Sequence, residues 1–195
     1  MSDADRRDDA LALGELSIAR AWNVKGDAAD RAFLSQASRL LDIALPSTAM
    51  TTTRNDDALA MWLGPASWLV LSDASADTRD FDAARKALND AGGALFDVSA
   101  SHVAWMIGGA VASRVLNRLC PLDLHPSAFP PGAAKQSLLG HIHALYYRPH
   151  DAPAFVVIVA RSFSGDAARE LREAAQSEGY RTVETRAIIA ATSQR

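Results

Sequence analysis

A single cysteine, Cys120, in 195 residues leaves no intramolecular disulfide and no cysteine-built zinc or iron–sulphur site. No run approaches the roughly 18 apolar residues that a membrane helix needs. Positive charge is not in surplus. Twenty basic and 23 acidic side chains give a net charge of −3, which argues against a phosphate-backbone binder and so against a nucleic-acid partner. The opening residues, MSDADRRDDALALGEL, lack the basic-then-apolar plan of a signal peptide. What is present is ordinary for a folded domain, 49% hydrophobic and 22% charged. A chain this long can bury a core without staples. The expectation is a cytoplasmic globular protein, with no membrane contact, of one large domain or two small ones.

Residues 1–13 are charged and small without apolar periodicity, and read as a disordered N-terminal tail. Beyond them the elements come in a repeating order. Leu16, Ile18, Trp22 and Val24 share one parity, the signature of a strand broken only at Arg20. Asp27 is placed to cap a helix over 28–41, in which Ala32, Leu34, Ala37, Leu40 and Leu41 recur at three- and four-residue steps. Two short apolar runs, 59–63 and 68–71, flank Gly64-Pro65 and predict a hairpin. A helix over 80–91 closes at Gly92-Gly93 and leads into a strand over 94–98. The order then repeats, with a strand over 102–107, a helix over 110–119, a Pro-rich connection, strands over 136–147 and 155–160, a helix over 165–178 and a last strand over 180–188. Asp82-Ala-Ala-Arg85 and Asp166-Ala-Ala-Arg169 open the second helix of each half. The pattern predicts an α+β fold of two ferredoxin-like split βαβ (βαββαβ) halves, 14–100 and 101–190.

Candidate chemistry is thin. His141 and His143 fall on one face of the predicted strand, but two imidazoles are an incomplete metal set, and a polar strand face accounts for them. Cys120, Asp123 and His125 have the residue types of a nucleophile, orienter and base. A thiol following an apolar helix is better read as a small core hydrophobe, and Asp123 and His125 as local fasteners of the loop. Trp62 and Trp68 beside Gly64-Pro65 could stack on a flat ligand such as a pterin or flavin, or serve as a core or interface pair. Gly108-Gly109 lacks the spacing of a phosphate loop and reads as a tight turn. Asp166, Arg169, Glu170, Arg172 and Glu173 form a solvated helix face. No catalytic, cofactor-binding or metal-binding residue is assigned.

Several motifs stand in series: Ala60-Met-Trp62-Leu-Gly64-Pro65-Ala-Ser-Trp68-Leu, then Asp97-Val-Ser99, then Cys120-Pro-Leu-Asp-Leu-His125-Pro-Ser-Ala-Phe129-Pro130, then Arg161-Ser-Phe163. In order and spacing, over about 16–178, they resemble the gamma subunits of heterotetrameric sarcosine oxidase. That resemblance implies a fold similar to the folate-binding domain of the aminomethyltransferases. It also implies a place in a complex that oxidatively demethylates sarcosine to glycine, yielding hydrogen peroxide and either formaldehyde or 5,10-methylenetetrahydrofolate. In such complexes alpha, beta and delta subunits are the partners and carry FAD, FMN, NAD, the tetrahydrofolate site and zinc, while the gamma subunit holds no known cofactor. Two departures stand out. Gly108-Gly109 replaces a Gly-Pro-like junction of the relatives, and Lys135-Gln-Ser-Leu-Leu-Gly140 lacks the cysteine of the K-G-C-x-x-G-Q-E/D loop of related iron–sulphur assembly proteins. On this reading Trp62, Trp68, Leu124, His125, Phe129 and Pro130 are the expected subunit-interface residues, being apolar or held in a rigid loop. Phe129→Ala is expected to weaken assembly. The alternative is a free-standing tetrahydrofolate-binding or one-carbon-transfer protein of the same fold.

Overall fold

The structure, a computed structural model, describes residues 11–73, 80–149 and 154–192. By contacts the chain divides into two units. Ile18–Ala100 forms one, and the segment up to Ser17 joins Ser101 onward in the other. The first strand, β1 (Ala12–Ser17), belongs to the latter.

The unit Ile18–Ala100 runs β2 (Arg20–Lys25), α1 (Arg31–Leu41), β3 (Thr52–Arg54), β4 (Ala58–Gly64), β5 (Ser67–Ser72), α2 (Phe81–Asp90) and β6 (Ala94–Asp97). Its sheet has the order β3-β4-β5-β2-β6, with every neighbouring pair antiparallel. Without the short β3 this is the expected ferredoxin-like arrangement. Trp22, Val24, Ala60, Trp68, Val70 and Leu95 line one face of the sheet and meet Phe33, Ala37 and Leu41 of α1 and Ala84 and Leu88 of α2. The four-residue steps along each helix put these side chains on one stripe. Asp30, not Asp27, caps α1, its Oδ1 accepting from the N–H groups of Ala32 at 2.8 Å and Phe33 at 3.2 Å. Asp27 instead accepts from Ala29 N–H in the preceding turn. Asp80 caps α2 in the same way, and Gly92, at φ 77°, ends it as the sequence predicts. Phe33 is the tightest point of this core. A Cβ on either Gly26 or Gly93 would overlap its ring, and the ring meets Trp68 at a centroid distance of 5.9 Å.

The other unit adds to β1 the elements β7 (His102–Gly108), α3 (Ala112–Leu116), β8 (Ala134–Leu139), β9 (Ile142–Tyr147), β10 (Ala154–Ala160), α4 (Ser164–Gln176), β11 (Arg181–Thr182), β12 (Arg186–Ala187) and α5 (Ile188–Ala191). Its sheet has the order β11-β1-β7-β10-β9-β8, with β12 also paired to β1. The second ferredoxin-like half is therefore present with β1 inserted between its first and last strands. That insertion makes β1 antiparallel to β7 and parallel to β11 and β12. Val103, Trp105, Ile107, Phe155, Val157 and Val159 face Val115 and Leu116 of α3 and Leu171 of α4 across the core.

Five expectations are corrected. The strand predicted over 16–24 is two strands, because the chain changes sheets at Ile18-Ala19: Leu16 pairs with Ala104, whereas Arg20 pairs with Ser72. Residues 11–13 of the predicted tail are ordered in β1 or at its start, with Leu11 and Leu13 each 2% exposed. The rest of that tail lies outside the described residues. The strand predicted over 136–147 is a hairpin turning at Gly140, φ 59°. The helix predicted over 110–119 shortens to five residues. The last predicted strand is two short pairings ending in α5.

Candidate functional site

The motifs that carry the family resemblance fall at four places: the β4–β5 turn, the end of β6, the loop between α3 and β8, and, for Arg161-Ser-Phe163, the single turn between β10 and α4; the first three are built as follows. At the first, Trp62 and Trp68 are cross-strand partners flanking the Gly64-Pro65 turn, with a bulge between Trp62 and Gly64. Their fates differ. Trp68 is fully buried, and its Nε1–H donates to the carbonyl of Pro46 at 2.8 Å. Trp62 is partly buried and packs on the rim of the same core.

At the second place, Asp97 Oδ1 accepts from Ser99 Oγ–H at 2.6 Å and Ser99 N–H at 2.9 Å. Ser99 Oγ in turn accepts from Ala21 N–H at 3.0 Å, and Val98 N–H donates to Ala21 O. The segment staples the exit of β6 to the start of β2. The Ser99 hydroxyl, then its N–H, hold the Asp97 carboxyl below its usual range. In the other unit, Arg114 Nη2 and Arg118 Nη2 grip the two carboxylate oxygens of Glu178 at 2.7 and 2.6 Å, and Arg118 Nη1 donates to Ala174 O and Ser177 Oγ at the end of α4. Arg114 first, then Arg118, lower the Glu178 carboxyl as well. A carboxyl depressed in the folded state contributes stability above its unfolded value and loses it as pH falls through the folded value. The urea midpoint of the wild type will therefore drop on acidification below the ordinary carboxylate range, and the drop will be shallower in an Asp97→Asn, Glu178→Gln double variant. Identical pH profiles for the two proteins would contradict these assignments.

The third place is the Pro-rich loop. Leu124 and Phe129 point inward and are fully buried in the core of their own unit. Phe129 lies 5.9 Å from Phe155, centroid to centroid, and Lys135 Nζ stands 5.4 Å from its ring centre. Lys135 Nζ also donates to Ala128 O at 2.6 Å, and Arg148 Nη1 to Phe129 O at 2.8 Å. The loop's outward carbonyls are thus drawn back to β8 and to the residue following β9. Asp123 Oδ1 accepts from His125 N–H at 2.9 Å, and His125 Nδ1 meets Ser127 Oγ at 2.7 Å, the local fastening that the sequence suggested. Ser127 N–H donates to the same ring nitrogen at 3.3 Å. His125, Pro126, Ser127 and Pro130 are exposed.

Of the six expected interface residues, then, Trp68, Leu124 and Phe129 are core residues of their own units. Burial leaves them no surface to offer. His125 and Pro130 are exposed, and Trp62 partly so. Cys120 is buried, 5% exposed, beside Tyr146. The phenol of Tyr146 donates to Leu138 O at 2.8 Å and is pushed far above its usual value, by burial first and then by Cys120. His141 sits in the β8–β9 turn and His143 on β9, both exposed, and the hairpin removes the shared strand face once expected of them. Gly108-Gly109 ends β7 in a turn, with Gly109 at φ 109° and its carbonyl accepting from Ala112 N–H. Among the described residues no group of three or more His, Cys, Asp or Glu side chains is placed to hold a metal ion, and no helix is long and apolar enough to cross a membrane. Sequence reasoning missed the Arg114–Arg118–Glu178 clamp, although the four-residue spacing of the arginines marked one helical face. It also missed the exposed Met50.

Two gamma subunits of sarcosine oxidase illustrate the likeness to known proteins. That of Corynebacterium sp. (strain P-1) is 32% identical over 97 residues, 50% of this chain and 47% of the relative. That of Arthrobacter sp. is 31% identical over 97 residues, with the same shares. The chain thus spans about half the length of the curated relatives it matches. In three dimensions the chain is similar to one in the heterotetrameric sarcosine oxidase of Corynebacterium sp. U-96 in complex with pyrrole 2-carboxylate, with a TM-score of 0.75 at 21% identity over 90% of this chain and 89% of that one. It is also similar to the glycine cleavage system aminomethyltransferase T of Bartonella henselae, with a TM-score of 0.62 at 14% identity over 90% of this chain and 48% of that one. Both likenesses show a shared fold. A family model described as the sarcosine oxidase gamma subunit family matches residues 25–176, and the chain belongs to that family.

Proposed function

We propose that this chain serves a cytoplasmic sarcosine oxidase complex as a non-catalytic gamma subunit that holds larger subunits together. On this reading the alpha, beta and delta subunits carry FAD, FMN, NAD, the tetrahydrofolate site and zinc. The complex converts sarcosine to glycine, with hydrogen peroxide and either formaldehyde or 5,10-methylenetetrahydrofolate as the other products. One observation carries the proposal: the residues that mark the family are engaged in building the scaffold. Trp68 fixes a loop through Pro46 O, Asp97 and Ser99 staple two strands, and Leu124 and Phe129 fill a core. A rigid surface so prepared loses little entropy on docking.

The test is co-expression of the other subunits with and without this chain. Omitting it should sharply lower the yield and thermal stability of the assembly while turnover of sarcosine per bound flavin stays near normal. A purified chain that oxidised sarcosine, or held flavin in stoichiometric amount, would overturn the proposal. The likeness in fold to aminomethyltransferase T supports a second reading, a free-standing tetrahydrofolate-binding or one-carbon-transfer protein. Micromolar binding of tetrahydrofolate to the isolated chain, measured by calorimetry, would favour that reading instead.

A further inference from the structure

The Pro-rich loop between α3 and β8 is tied down by two cations on adjacent carbonyls, Lys135 Nζ on Ala128 O at 2.6 Å and Arg148 Nη1 on Phe129 O at 2.8 Å. Each cation also stands by an aromatic ring, Lys135 Nζ 5.4 Å from the centre of Phe129 and Arg148 Cζ 5.7 Å from that of Phe155. Carbonyl dipoles and ring faces offset only part of a full charge. Neither cation has a carboxylate partner among the described residues. The contrast is with Arg114 and Arg118, which converge on Glu178.

The orientation of Arg148 says what is missing. With Nη1 committed to Phe129 O, the guanidinium edge formed by Nε and Nη2 is left over. Nε is buried and has no hydrogen-bond partner, and Nη2 has no acceptor among the described residues. The backbone beneath is pinned, since Arg148 N–H donates to Ala133 O at 3.0 Å and Arg148 O accepts from Gly132 N–H at 2.8 Å. Buried donors are nearly always paired, and a donor on a charged group is the costliest to leave alone. Two parallel N–H groups on one edge of a planar cation match the two oxygens of a carboxylate. The second positive charge at Lys135 favours an anion there over a water or a neutral carbonyl. We infer that the Nε–Nη2 edge of Arg148 is a binding site for a carboxylate, with Lys135 as its supporting charge. Two sources supply that chemistry, an acidic side chain of a larger subunit or a free carboxylate in solution. The first rests on the subunit reading proposed above, and the second does not.

The test uses the isotope-labelled full-length chain. Arg148 Nε–H is followed by proton–nitrogen NMR and assigned by its loss in Arg148→Lys, while acetate replaces chloride at constant ionic strength. A free carboxylate as ligand moves this signal saturably and raises the melting temperature of wild type but not of Arg148→Lys. A subunit carboxylate as ligand shows when the chain is titrated against the larger subunits. Arg148→Lys keeps a cation and a donor for Phe129 O but loses the fork, so it should melt close to wild type and bind those subunits about tenfold or more weakly. Lys135→Gln should weaken whichever response is found by about threefold. Either response supports the inference and names the source. No acetate response together with wild-type affinity in Arg148→Lys leaves the edge to water and overturns the inference, with the subunit reading intact. A loss of affinity that only follows loss of folded chain overturns it too. So does a Nε–H signal that shifts in Asp151→Asn but not with acetate, because Asp151, three residues along the chain and outside the described residues, is then the partner. A wild-type chain that responds to acetate yet captures no larger subunit overturns the subunit reading alone.

Discussion

Phe129→Ala will destabilise the chain by about 3–5 kcal/mol, the usual cost of emptying a buried aromatic site, and lower its melting temperature by roughly 6–20 °C. The ring is fully buried against Phe155, beneath Lys135, and the Phe129 carbonyl is held by Arg148. Truncation removes the ring contacts and leaves a void that the Pro-rich backbone cannot close, since its carbonyls are already tied to Lys135 and Arg148. Any loss of assembly in this variant will therefore follow its loss of folding rather than precede it. Phe129→Leu, which refills most of the volume, should recover much of the stability, and assembly should recover in parallel. Urea unfolding with binding measured on the folded fraction separates the two effects. A folded Phe129→Ala chain of wild-type stability that had lost its partners would restore the direct interface role expected from the sequence.

The second large effect is at Phe33. Phe33→Ala should likewise cost about 3–5 kcal/mol, because the ring is 1% exposed and packs on Trp68. Gly93→Ala should cost about 1–3 kcal/mol from the opposite cause, overpacking. The new methyl would overlap the ring and stand 2.9 Å from Lys25 O, a backbone atom that cannot swing aside. The two changes address one volume. In the double variant the alanine methyl occupies space that the ring has vacated, so the combined cost should fall short of the sum by about 0.5–3 kcal/mol. Four urea curves complete the cycle, and strict additivity would show that the glycine and the ring do not compete for the same space.

Legibility of the fold in the sequence followed the kind of signal each element carries. α1, α2 and α4 were readable because their apolar residues recur on one stripe and their ends carry Asp or Gly. The change of sheets at Ile18-Ala19 was not. Leu16, Ile18, Trp22 and Val24 keep one parity across it, broken only at Arg20, and parity says which face a residue takes, not which strand it pairs with. The β8–β9 hairpin was hidden for a related reason. Its turn, Gly140-His141, is only two residues and keeps the alternation in step, so two strands looked like one. Burial was the main limit at the candidate site. Trp68, Leu124 and Phe129 resemble interface residues by type, since aromatic and aliphatic anchors serve cores and interfaces alike. Only the observed burial separates those that fill a core from Trp62, His125 and Pro130, which retain surface. Met50, at φ 61°, was unreadable for a different reason, because neither its type nor its neighbours announce a left-handed backbone.

The placement of β1 bears on how the protein is made. Its antiparallel neighbour β7 and its parallel neighbours β11 and β12 are all encoded after Ala100. At translation speeds of about 5–20 residues per second, the strand waits roughly 5–20 s for its first partner to leave the ribosome. During that interval Leu11, Leu13 and Leu16, all destined for burial, are without their native cover, while Ile18–Ala100 can complete its own sheet. Heterologous production is thus most vulnerable while the segment that carries β1 stands unpaired, and lower growth temperatures or a holding chaperone will act there.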